Sequence, residues 1–389
     1  MARDAVIVEA VRTPTARRDG KLKDWHPVDL LAEVLGETVA RSGVDSSAVD
    51  DVICGCVSQI GEQSLNIGRN AWLAAGLPEE VPATTIDRQC GSSQQAVHFA
   101  AQGVLAGAYD VAIACGVESM TRVPMGSSAQ SQGFPFSERL MARYENGLVP
   151  QGISAEIIAE RWGLTRAELD RFGARSHERA GSATGEGAFK REIHPVKVES
   201  DSGTELFEVD EGIRTPDLDK MADLQPPFKA DGVVTAGNSS QISDGAAALL
   251  ITSSEKAEEL GLRPRARFVS FALAGTDPIS MLTGPIPASR KVLERAGKSI
   301  TDMDSVEINE AFASVVLAWK RELELDDRWF DERVNPRGGA IALGHPLGAS
   351  GARLMTTLLH TLEDTGGRFG LQTMCEGGGL ANATIVERL

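Results

Sequence analysis

The stretch 87–96, DRQCGSSQQA, places a cysteine among polar residues. Cysteine side chains are more often buried as small, inert hydrophobic groups. Cys90 comes just before a run that predicts a helix, and the positive end of a helix dipole with its free N–H groups lowers a thiol pKa. The neighbouring Arg88 is expected to add to this effect. Because a thiolate is a nucleophile, Cys90 is a candidate for covalent catalysis.

A nucleophilic thiol needs a base, and His345 is the best candidate among the six histidines. It lies in GGAIALGHPLGASGAR, between glycine and proline, in a turn that lets a histidine approach a substrate closely. His98 and His360 lie in helical runs and are expected to be packed or surface residues. The alternative interpretation is that His345 is a structural histidine, with its hydrogen bonds satisfied within the fold.

Two further stretches place polar groups where packing does not require them. In VEINEAFASVVLAW, Asn309 and Glu310 stand at a strand-to-helix junction, where they either serve chemistry or cap the helix. In MCEGGGLANATIVERL, three glycines follow Cys375 and expose N–H groups that can form an anion-binding nest.

The composition excludes several classes of protein. The chain has 389 residues and a net charge of −16, which argues against a nucleic-acid partner. We expect no membrane span, because no run of about 18 apolar residues occurs. Five cysteines, an odd number without a signal peptide, predict reduced thiols and a cytoplasmic location. Cys54, Cys56 and Cys115 lie in strand-like runs without a second ligand cluster, so no metal site is expected.

Short β-branched runs alternate with helical patterns in two stretches of the chain, which predicts βαβ units and a mostly parallel sheet. The two stretches resemble each other, since one has a glycine turn at Cys90 before a helix and the other has a glycine turn at His345 before a helix. The section 121–237 is polar and rich in turns, and it predicts an inserted loop domain that covers a ligand. The expected organisation is 1–120 and 238–260 for the first half, 121–237 for the insertion, and 261–389 for the second half.

Taken together, these stretches resemble the thiolases, a family of acetyl-CoA acyltransferases, from end to end. Four loops match the active-site signatures of that family in order: Cys90-Gly91-Ser92, Asn309-Glu310-Ala311-Phe312, Gly344-His345-Pro346 and Cys375-Glu376-Gly377. The resemblance implies an α/β fold of five layers, αβαβα, built from two duplicated βαβ halves with an inserted loop domain.

The resemblance also implies roles for individual residues. Cys90 is the nucleophile that becomes acylated, His345 activates it, and Cys375 is the general acid/base at the α-carbon of the acetyl unit. Asn309 holds a water that, with His345, binds one thioester oxygen. The backbone N–H groups of Cys90 and Gly377 form a second oxyanion hole.

The implied ligands are coenzyme A, as a co-substrate rather than a permanently bound cofactor, and an acyl-CoA. Ser240 matches a serine that contacts the pantetheine of CoA, and Arg214 corresponds to a basic residue near the nucleotide phosphate. By resemblance, the assembly is a homodimer or a homotetramer.

The expected activity is cleavage of a 3-ketoacyl-CoA by CoA, in fatty-acid or steroid side-chain degradation, with a biosynthetic acetoacetyl-CoA thiolase as the alternative. Acetoacetyl-CoA thiolases carry a loop histidine where VPQGISAE has Pro150 or Gln151, which favours a bulky or steroid-derived acyl chain. Ser93, Gln94 and Gln95 depart from the residues that many thiolases have after the cysteine. Two roles stay open for them, tuning of the acyl pocket or packing.

Three other classes fit less well. A ketoacyl synthase shares the fold and the nucleophile but uses a His/His or His/Asn pair in place of Cys375. A papain-like protease needs the order Cys, His, Asn, whereas this chain has Cys90, Asn309, His345. A non-catalytic CoA-binding protein would not need two cysteines at glycine turns.

Overall fold

A computed structural model describes residues 3–130, 133–144, 147–200 and 203–389. The strands form one large mixed sheet and one separate hairpin. In chain order they are β1 (Val6–Arg12), β2 (Ala16–Arg17), β3 (Asp51–Gly55), β4 (Ala83–Ile86), β5 (Val111–Ser119), β6 (Val196–Ser200), β7 (Gly203–Phe207), β8 (Ser243–Thr252), β9 (Ala266–Gly275), β10 (Ser305–Ile308), β11 (Phe369–Glu376) and β12 (Leu380–Arg388).

The helices lie on both sides of the large sheet and in the inserted section. In chain order they are α1 (Pro27–Ser42), α2 (Ile67–Ala74), α3 (Ser92–Ala106), α4 (Ser127–Gln130), α5 (Glu138–Met141), α6 (Gln151–Arg161), α7 (Arg166–Gly185), α8 (Leu218–Ala222), α9 (Ser254–Glu259), α10 (Pro285–Ala296), α11 (Ala313–Glu322), α12 (Asp327–Arg333), α13 (Ala340–Leu343) and α14 (Ser350–Thr365). Short 3₁₀ turns link several of them.

The large sheet contains the same strand order twice. The first half runs β4-β3-β5-β8-β1 and the second runs β10-β11-β12-β9, so β3, β5, β8 and β1 correspond to β10, β11, β12 and β9. The halves meet where β1 pairs antiparallel with β9, through Val6 and Ile7. The prediction of two similar α/β halves is therefore confirmed.

The prediction of a mostly parallel sheet is wrong. Only the β3–β4, β3–β5 and β10–β11 pairs are parallel among the described strands, and the other pairs are antiparallel. The sheet is mixed because the last strand of each half runs antiparallel to its neighbours. β12 returns from β11 through the tight turn at Gly377 to Gly379, and β8 inserts antiparallel between β1 and β5. Strand direction depends on this return path, which local periodicity does not encode.

The side chains of β1 show how the layers stack, because successive residues of a strand face opposite sides. Val6 and Val8 belong to a core that includes Leu30 of α1. Ile7 belongs to a central core formed with α3 and α14, which also reaches β9 and β12. A third core joins β10–β12 to α6, α10 and α11. The layers are therefore the outer helices of the first half, the first half of the sheet, α3 with α14, the second half of the sheet, and the outer helices of the second half. These are the five predicted layers.

The two central helices both begin at the turns that the sequence singled out. α3 begins two residues after Cys90, and α14 begins five residues after His345, behind a 3₁₀ turn. Both turns therefore lie at the same end of the central layer. In the described part of the chain, no helix is long and apolar enough to cross a membrane.

Candidate active site

Cys90 lies in a tight turn between β4 and α3. Gln89 has a φ of 49°, an uncommon left-handed conformation for a residue other than glycine. The turn is closed by Ser92, whose hydroxyl accepts a hydrogen bond from the Arg88 N–H (2.9 Å) and donates to the Gln89 carbonyl (2.6 Å). Strained backbone of this kind persists where its surroundings hold it, and it often marks functional sites. Here it presents the thiol at the start of α3.

The Cys90 thiol is buried, with 3% of its surface exposed. Burial raises the pKa of Cys90 to about 12, and the Glu376 charge acts in the same direction. Hydrogen bonds from the Gln151 side chain and from the N–H groups of Cys90 and Gly377 oppose this rise. The prediction of a lowered pKa is therefore wrong, because desolvation outweighs the donors at the helix start.

The second thiol, Cys375, lies at the end of β11 and is fully buried. Burial raises its pKa well above the usual value, and the nearby Cys90 and Glu376 contribute to this rise. Glu376 packs against Gly91, where a Cβ atom would lie 1.9 Å from a carboxyl oxygen. Burial also raises the pKa of Glu376 well above its usual range, against the effect of Arg88. Both thiols therefore rest in the neutral form near neutral pH.

His345 has a defined tautomer. Its Nδ1 lies 2.5 Å from the Ser350 hydroxyl, which donates its own proton to the Pro346 carbonyl at 2.8 Å. Nδ1 must therefore carry the ring proton and donate, which leaves Nε2 as the basic nitrogen. Asn309 Nδ2 lies 3.3 Å from Nε2 and donates to it. Burial, with the charge of Arg353, lowers the pKa of His345 to about 3, so the imidazole is neutral.

The backbone around His345 is fixed by its neighbours. Gly344 has a φ of 95°, and a Cβ atom there would lie 2.4 Å from the Ser243 hydroxyl, so only glycine fits. The His345 N–H donates to the Gln241 carbonyl and to the Ser243 hydroxyl, at 3.3 and 3.2 Å. Leu347 of the same turn packs in one small apolar cluster with Cys90. The turn therefore lies against the Cys90 turn.

Asn309 connects His345 to the strand that carries Cys375. Its N–H donates to the Thr373 carbonyl of β11 at 3.1 Å, and its buried Oδ1 has no hydrogen-bond partner among the described residues. The helix-cap interpretation of this stretch is wrong, because α11 begins behind Phe312 without a side-chain cap. Glu310 instead accepts from the Ser176 hydroxyl of α7 at 2.6 Å, which ties the insertion to this loop.

Ser240 and Arg214 line one groove of about 590 Å³ between the insertion and the first half, with Ile341 from the second half. The Ser240 N–H donates to the Ala311 carbonyl at 2.9 Å, so one end of the groove adjoins the Asn309 loop. Arg17 and Arg18 line the same groove, and our sequence analysis did not identify them. In the sequence they are two adjacent basic residues without a pattern that marks a ligand site.

Ser93, Gln94 and Gln95 face the interior of the protein and not the groove. Their side chains are buried and contact the second half of the chain. Ser93 Oγ accepts from the Ala352 N–H of α14 at 2.9 Å, and Gln94 Nε2 donates to Thr384 of β12 at 2.8 Å. These contacts favour packing over tuning of an acyl pocket.

The other three cysteines lie in the core of the first half, and the backbone of Cys56 packs against Gly348 of the His345 turn. Cys54 of β3 pairs in register with Cys115 of β5, and all five cysteines of the chain are free. Among the described residues, no group of three or more His, Cys, Asp or Glu side chains could hold a metal ion.

The arrangement provides two neighbouring thiols, a neutral imidazole with an unprotonated Nε2, and N–H donors beside the Cys90 thiol. A thiol with a base and donors for an oxyanion supports acyl transfer through a covalent thioester. A second thiol next to the first offers a further acid or base.

Known proteins resemble this chain over its whole length. The family description "Thiolase, N-terminal domain" matches residues 5–255, and "Thiolase, C-terminal domain" matches residues 262–388. The chain is 51% identical to the steroid 3-ketoacyl-CoA thiolase FadA6 of Mycobacterium tuberculosis, over 99% of this chain and 94% of that protein. It is 45% identical to a 3-ketoacyl-CoA thiolase of Escherichia coli, over 99% of each.

Two acetyl-CoA acetyltransferases are also similar. The protein from Syntrophomonas wolfei is 44% identical over the full length of both chains. The crystal structure of the Bacillus anthracis enzyme superimposes with a TM-score of 0.90 at 39% identity, covering 100% of this chain and 99% of that one.

Proposed function

The chain belongs to the thiolase family, and on this basis we propose that it is a degradative 3-ketoacyl-CoA thiolase. It uses CoA to cleave a 3-ketoacyl-CoA into acetyl-CoA and an acyl-CoA shortened by two carbons. The observation that carries this proposal is the meeting of three parts of the chain: Cys90 packs with Leu347 of the His345 turn, Cys375 lies close to Cys90, and Asn309 donates to the unprotonated Nε2 of His345.

In the first step, Cys90 attacks the keto carbon of the substrate. The thiol and the imidazole both rest neutral, because their pKa values lie near 12 and 3. The thiol proton therefore moves to His345 Nε2 as the new carbon–sulfur bond forms. The oxyanion that develops on the keto oxygen accepts hydrogen bonds from the Cys90 and Gly377 N–H groups, and loss of one such donor costs roughly 10²–10³ in rate.

In the second step, the bond between the α-carbon and the keto carbon breaks. Its electron pair passes to the thioester oxygen of the departing acetyl-CoA enolate, which leaves Cys90 acylated. The free Oδ1 of Asn309 is suited to hold a water that, together with His345, stabilises this enolate. Cys375 then gives its thiol proton to the α-carbon, and acetyl-CoA leaves.

In the third step, CoA takes up the acyl group. Its thiol gives a proton to the Cys375 thiolate, and its sulfur attacks the acyl carbon of Cys90. Cys90 leaves as a thiolate and recovers its proton from His345. We propose that Ser240 contacts the pantetheine of CoA and of the acyl-CoA, and that Arg214 lies near their phosphates. Both residues line the groove that adjoins the Asn309 loop.

A bulky or steroid-derived acyl chain is the proposed substrate class. Two observations support it, the 51% identity to a thiolase named for steroid substrates and the Pro150-Gln151 loop in place of the histidine of acetoacetyl-CoA thiolases. We further propose that the protein acts in the cytoplasm as a homodimer or homotetramer. Its five free cysteines support a reducing compartment.

The test is a steady-state assay of the purified protein with CoA and a panel of 3-ketoacyl-CoAs, from acetoacetyl-CoA to long-chain and steroid-like ones, with acetyl-CoA measured as product. We expect kcat/KM to rise with acyl size, and Cys90→Ser to remove turnover while the protein stays folded. A preference for acetoacetyl-CoA would favour the biosynthetic alternative. Absence of cleavage across the panel, or turnover by Cys90→Ser, would overturn the proposal.

A further inference from the structure

On the basis of the proposed function, we infer that Glu376 is a positioning residue of the site, held as a neutral carboxylic acid whose hydroxyl donates to Asn382 Oδ1, directly or through one water. This bond fixes the β11–β12 turn against the Cys90 turn. The side chain of Glu376 is fully buried at the end of β11, and neither carboxyl oxygen has a hydrogen-bond partner among the described residues. The mechanism above gives this carboxyl no step, so its burial beside the site needs another reason.

The carboxyl of Glu376 shares the space beside Gly91 with the side-chain amide of Asn382, from β12. A Cβ atom at Gly91 would lie 1.9 Å from Glu376 Oε1 and 3.0 Å from Asn382 Oδ1. The two oxygens therefore surround one point, and a hydroxyl group on one reaches the other directly or through one water. Asn382 Oδ1 is also buried without a hydrogen-bond partner in the described part of the chain, while Nδ2 of the same amide donates to Gln95 of α3 at 3.2 Å.

The surroundings of this carboxyl favour its neutral form. Two acceptor oxygens side by side repel each other unless a proton lies between them. A carboxylate that is buried without hydrogen bonds or an ion pair is costly, and such a group takes up a proton instead. Burial accordingly raises the pKa of Glu376 well above its usual range. The charge of Arg88 and the Asn382 N–H oppose this rise, but neither forms a hydrogen bond with the carboxyl.

The titratable groups around Glu376 and Asn382 come from β11, the Cys90 turn and α3, and they are Cys375, Asp87, Arg88, Cys90 and His98. Burial, with the charge of Arg88, lowers the pKa of His98 to about 3, so this imidazole is neutral. A negative charge on Glu376 would oppose the ionisation of both thiols. As a neutral acid, Glu376 can hold the turn in place without this effect.

The position of Glu376 in the chain shows what the bond to Asn382 would hold. Gly377, whose N–H acts on the Cys90 sulfur, is the next residue. Asn382 lies on the other side of the turn, in β12, and is attached to α3 through Gln95. A bond from Glu376 to Asn382 therefore closes the turn that presents the Gly377 N–H and ties it to the helix that begins after Cys90.

The first test is infrared difference spectroscopy of the whole protein near neutral pH, which detects the C=O stretch of a protonated carboxyl. We expect one such band of the wild-type protein to disappear in Glu376→Gln. The matched control is Glu307→Gln, which changes another buried carboxyl, on β10, that pairs with Gln372, four residues before Glu376 on β11. The control should keep the band that Glu376→Gln loses. If Glu376→Gln loses no such band, Glu376 is ionised and the inference is wrong.

The second test is the alkylation rate of Cys90 by iodoacetamide near neutral pH, followed by mass spectrometry of the Cys90 peptide. This rate follows the thiolate fraction. Because Glu376→Gln replaces one neutral group by another, we expect it to alkylate at the wild-type rate, as should Glu307→Gln. A rate roughly tenfold higher in Glu376→Gln would correspond to a Cys90 pKa lowered by one unit. That result would show that the substitution removed a negative charge, and it would overturn the inference.

The third test is single-turnover acylation of Cys90 by a 3-ketoacyl-CoA. Glu376→Met keeps the length of the side chain and removes the donor, so we expect acylation roughly tenfold slower, as for one lost hydrogen bond. Glu376→Gln keeps a neutral donor and should restore most of this loss. Equal rates in the two variants, whether fast or slow, would contradict a positioning role for the donor. If Glu376→Met does not fold, the infrared band and the alkylation rate of Glu376→Gln decide.

These outcomes separate the role of Glu376 from the proposed function. If the wild-type protein cleaves 3-ketoacyl-CoAs and the infrared band is absent, the role of Glu376 is wrong and the thiolase assignment stands. If the wild-type protein cleaves none of the substrates, the proposed function fails, while the infrared and alkylation measurements still decide whether Glu376 is neutral.

Discussion

At the scale of single residues, the two cysteines have different roles in the proposed mechanism. Burial is the main influence on the pKa of both thiols, but the Gly377 N–H acts on the Cys90 sulfur, whereas the donor that acts on the Cys375 sulfur is its own N–H. The additional donor beside Cys90 supports the proposal that Cys90 is the nucleophile and that Cys375 transfers the proton.

The division predicts the behaviour of Cys375→Ala. This variant should still become acylated at Cys90 when it is mixed with an acyl-CoA, because that transfer protonates no α-carbon and the CoA thiolate can leave without the Cys375 proton. Cleavage of a 3-ketoacyl-CoA should fall by roughly 10²–10⁴, the usual contribution of a general acid or base. Mass spectrometry of the acyl-enzyme and a steady-state assay measure the two effects. Normal cleavage by the variant would remove Cys375 from the mechanism.

The tautomer of His345 leads to a second residue-scale prediction. Ser350→Ala removes the acceptor for Nδ1–H, so the imidazole can rotate or place its proton on Nε2. We expect kcat to fall by roughly 10²-fold, the lower end for a general base. The control is Ser243→Ala, which removes a hydroxyl that binds the His345 backbone but not its ring.

The two serine variants are compared by kcat and by the pH profile of kcat/KM. The smaller effect should belong to Ser243→Ala, because the Gln241 carbonyl still accepts from the His345 N–H. Equal losses of kcat in both variants would mean that these hydroxyl groups support the turn and not the tautomer.

At the scale of elements, Glu118 at the end of β5 connects the turns of the site. Its carboxylate accepts from the Val57 and Ser58 N–H groups after β3 and from the Gly348 N–H of the His345 turn, at 2.9, 3.0 and 2.9 Å. Gln63 Nε2 donates to it as well, at 2.8 Å. One buried carboxylate thus fixes a loop of the first half against a turn of the second.

Glu118→Gln tests this connection. The substitution places an NH₂ group where two N–H donors previously met an oxygen, and an unsatisfied buried group costs about 1–3 kcal/mol. We expect the free energy of unfolding to fall by about that amount in urea titrations, with a slower enzyme at the same time because the His345 turn loosens. Unchanged stability would show that the neighbouring backbone holds the turn without Glu118.

The elements also show what the sequence could predict. The turns at Cys90 and His345 were found because glycines next to a reactive residue are unusual in a packed core, and the repeated turn-plus-helix pattern predicted the duplication. The antiparallel strands β8 and β12 were missed because alternating hydrophobicity is the same in either direction. Arg17 and Arg18 were missed because they reach the groove from the first loop, through contacts that have no local signature.

At the scale of the whole molecule, the central helices join the two halves into one body. α3 and α14 share a core with strands from both halves, and the buried side chains at the start of α3 bind α14 and β12. The proposed catalytic groups come from both halves, Cys90 from the first and Asn309, His345 and Cys375 from the second. The site therefore depends on the packing between the halves as much as on its own residues.

This dependence predicts the effect of changing Gln94, whose amide donates to Thr384 at 2.8 Å across the junction of the halves. Gln94→Met keeps the length of the side chain and leaves the Thr384 hydroxyl with His98 as its partner, so stability should fall by about 0.5–1.5 kcal/mol for the lost hydrogen bond. Urea unfolding should remain a single transition, since the shared core couples the halves. The ratio of kcat/KM between short and bulky 3-ketoacyl-CoAs should stay at the wild-type value, because Gln94 does not line the groove. A changed ratio would instead assign this stretch to the acyl pocket, and two separate transitions would show that the halves fold independently.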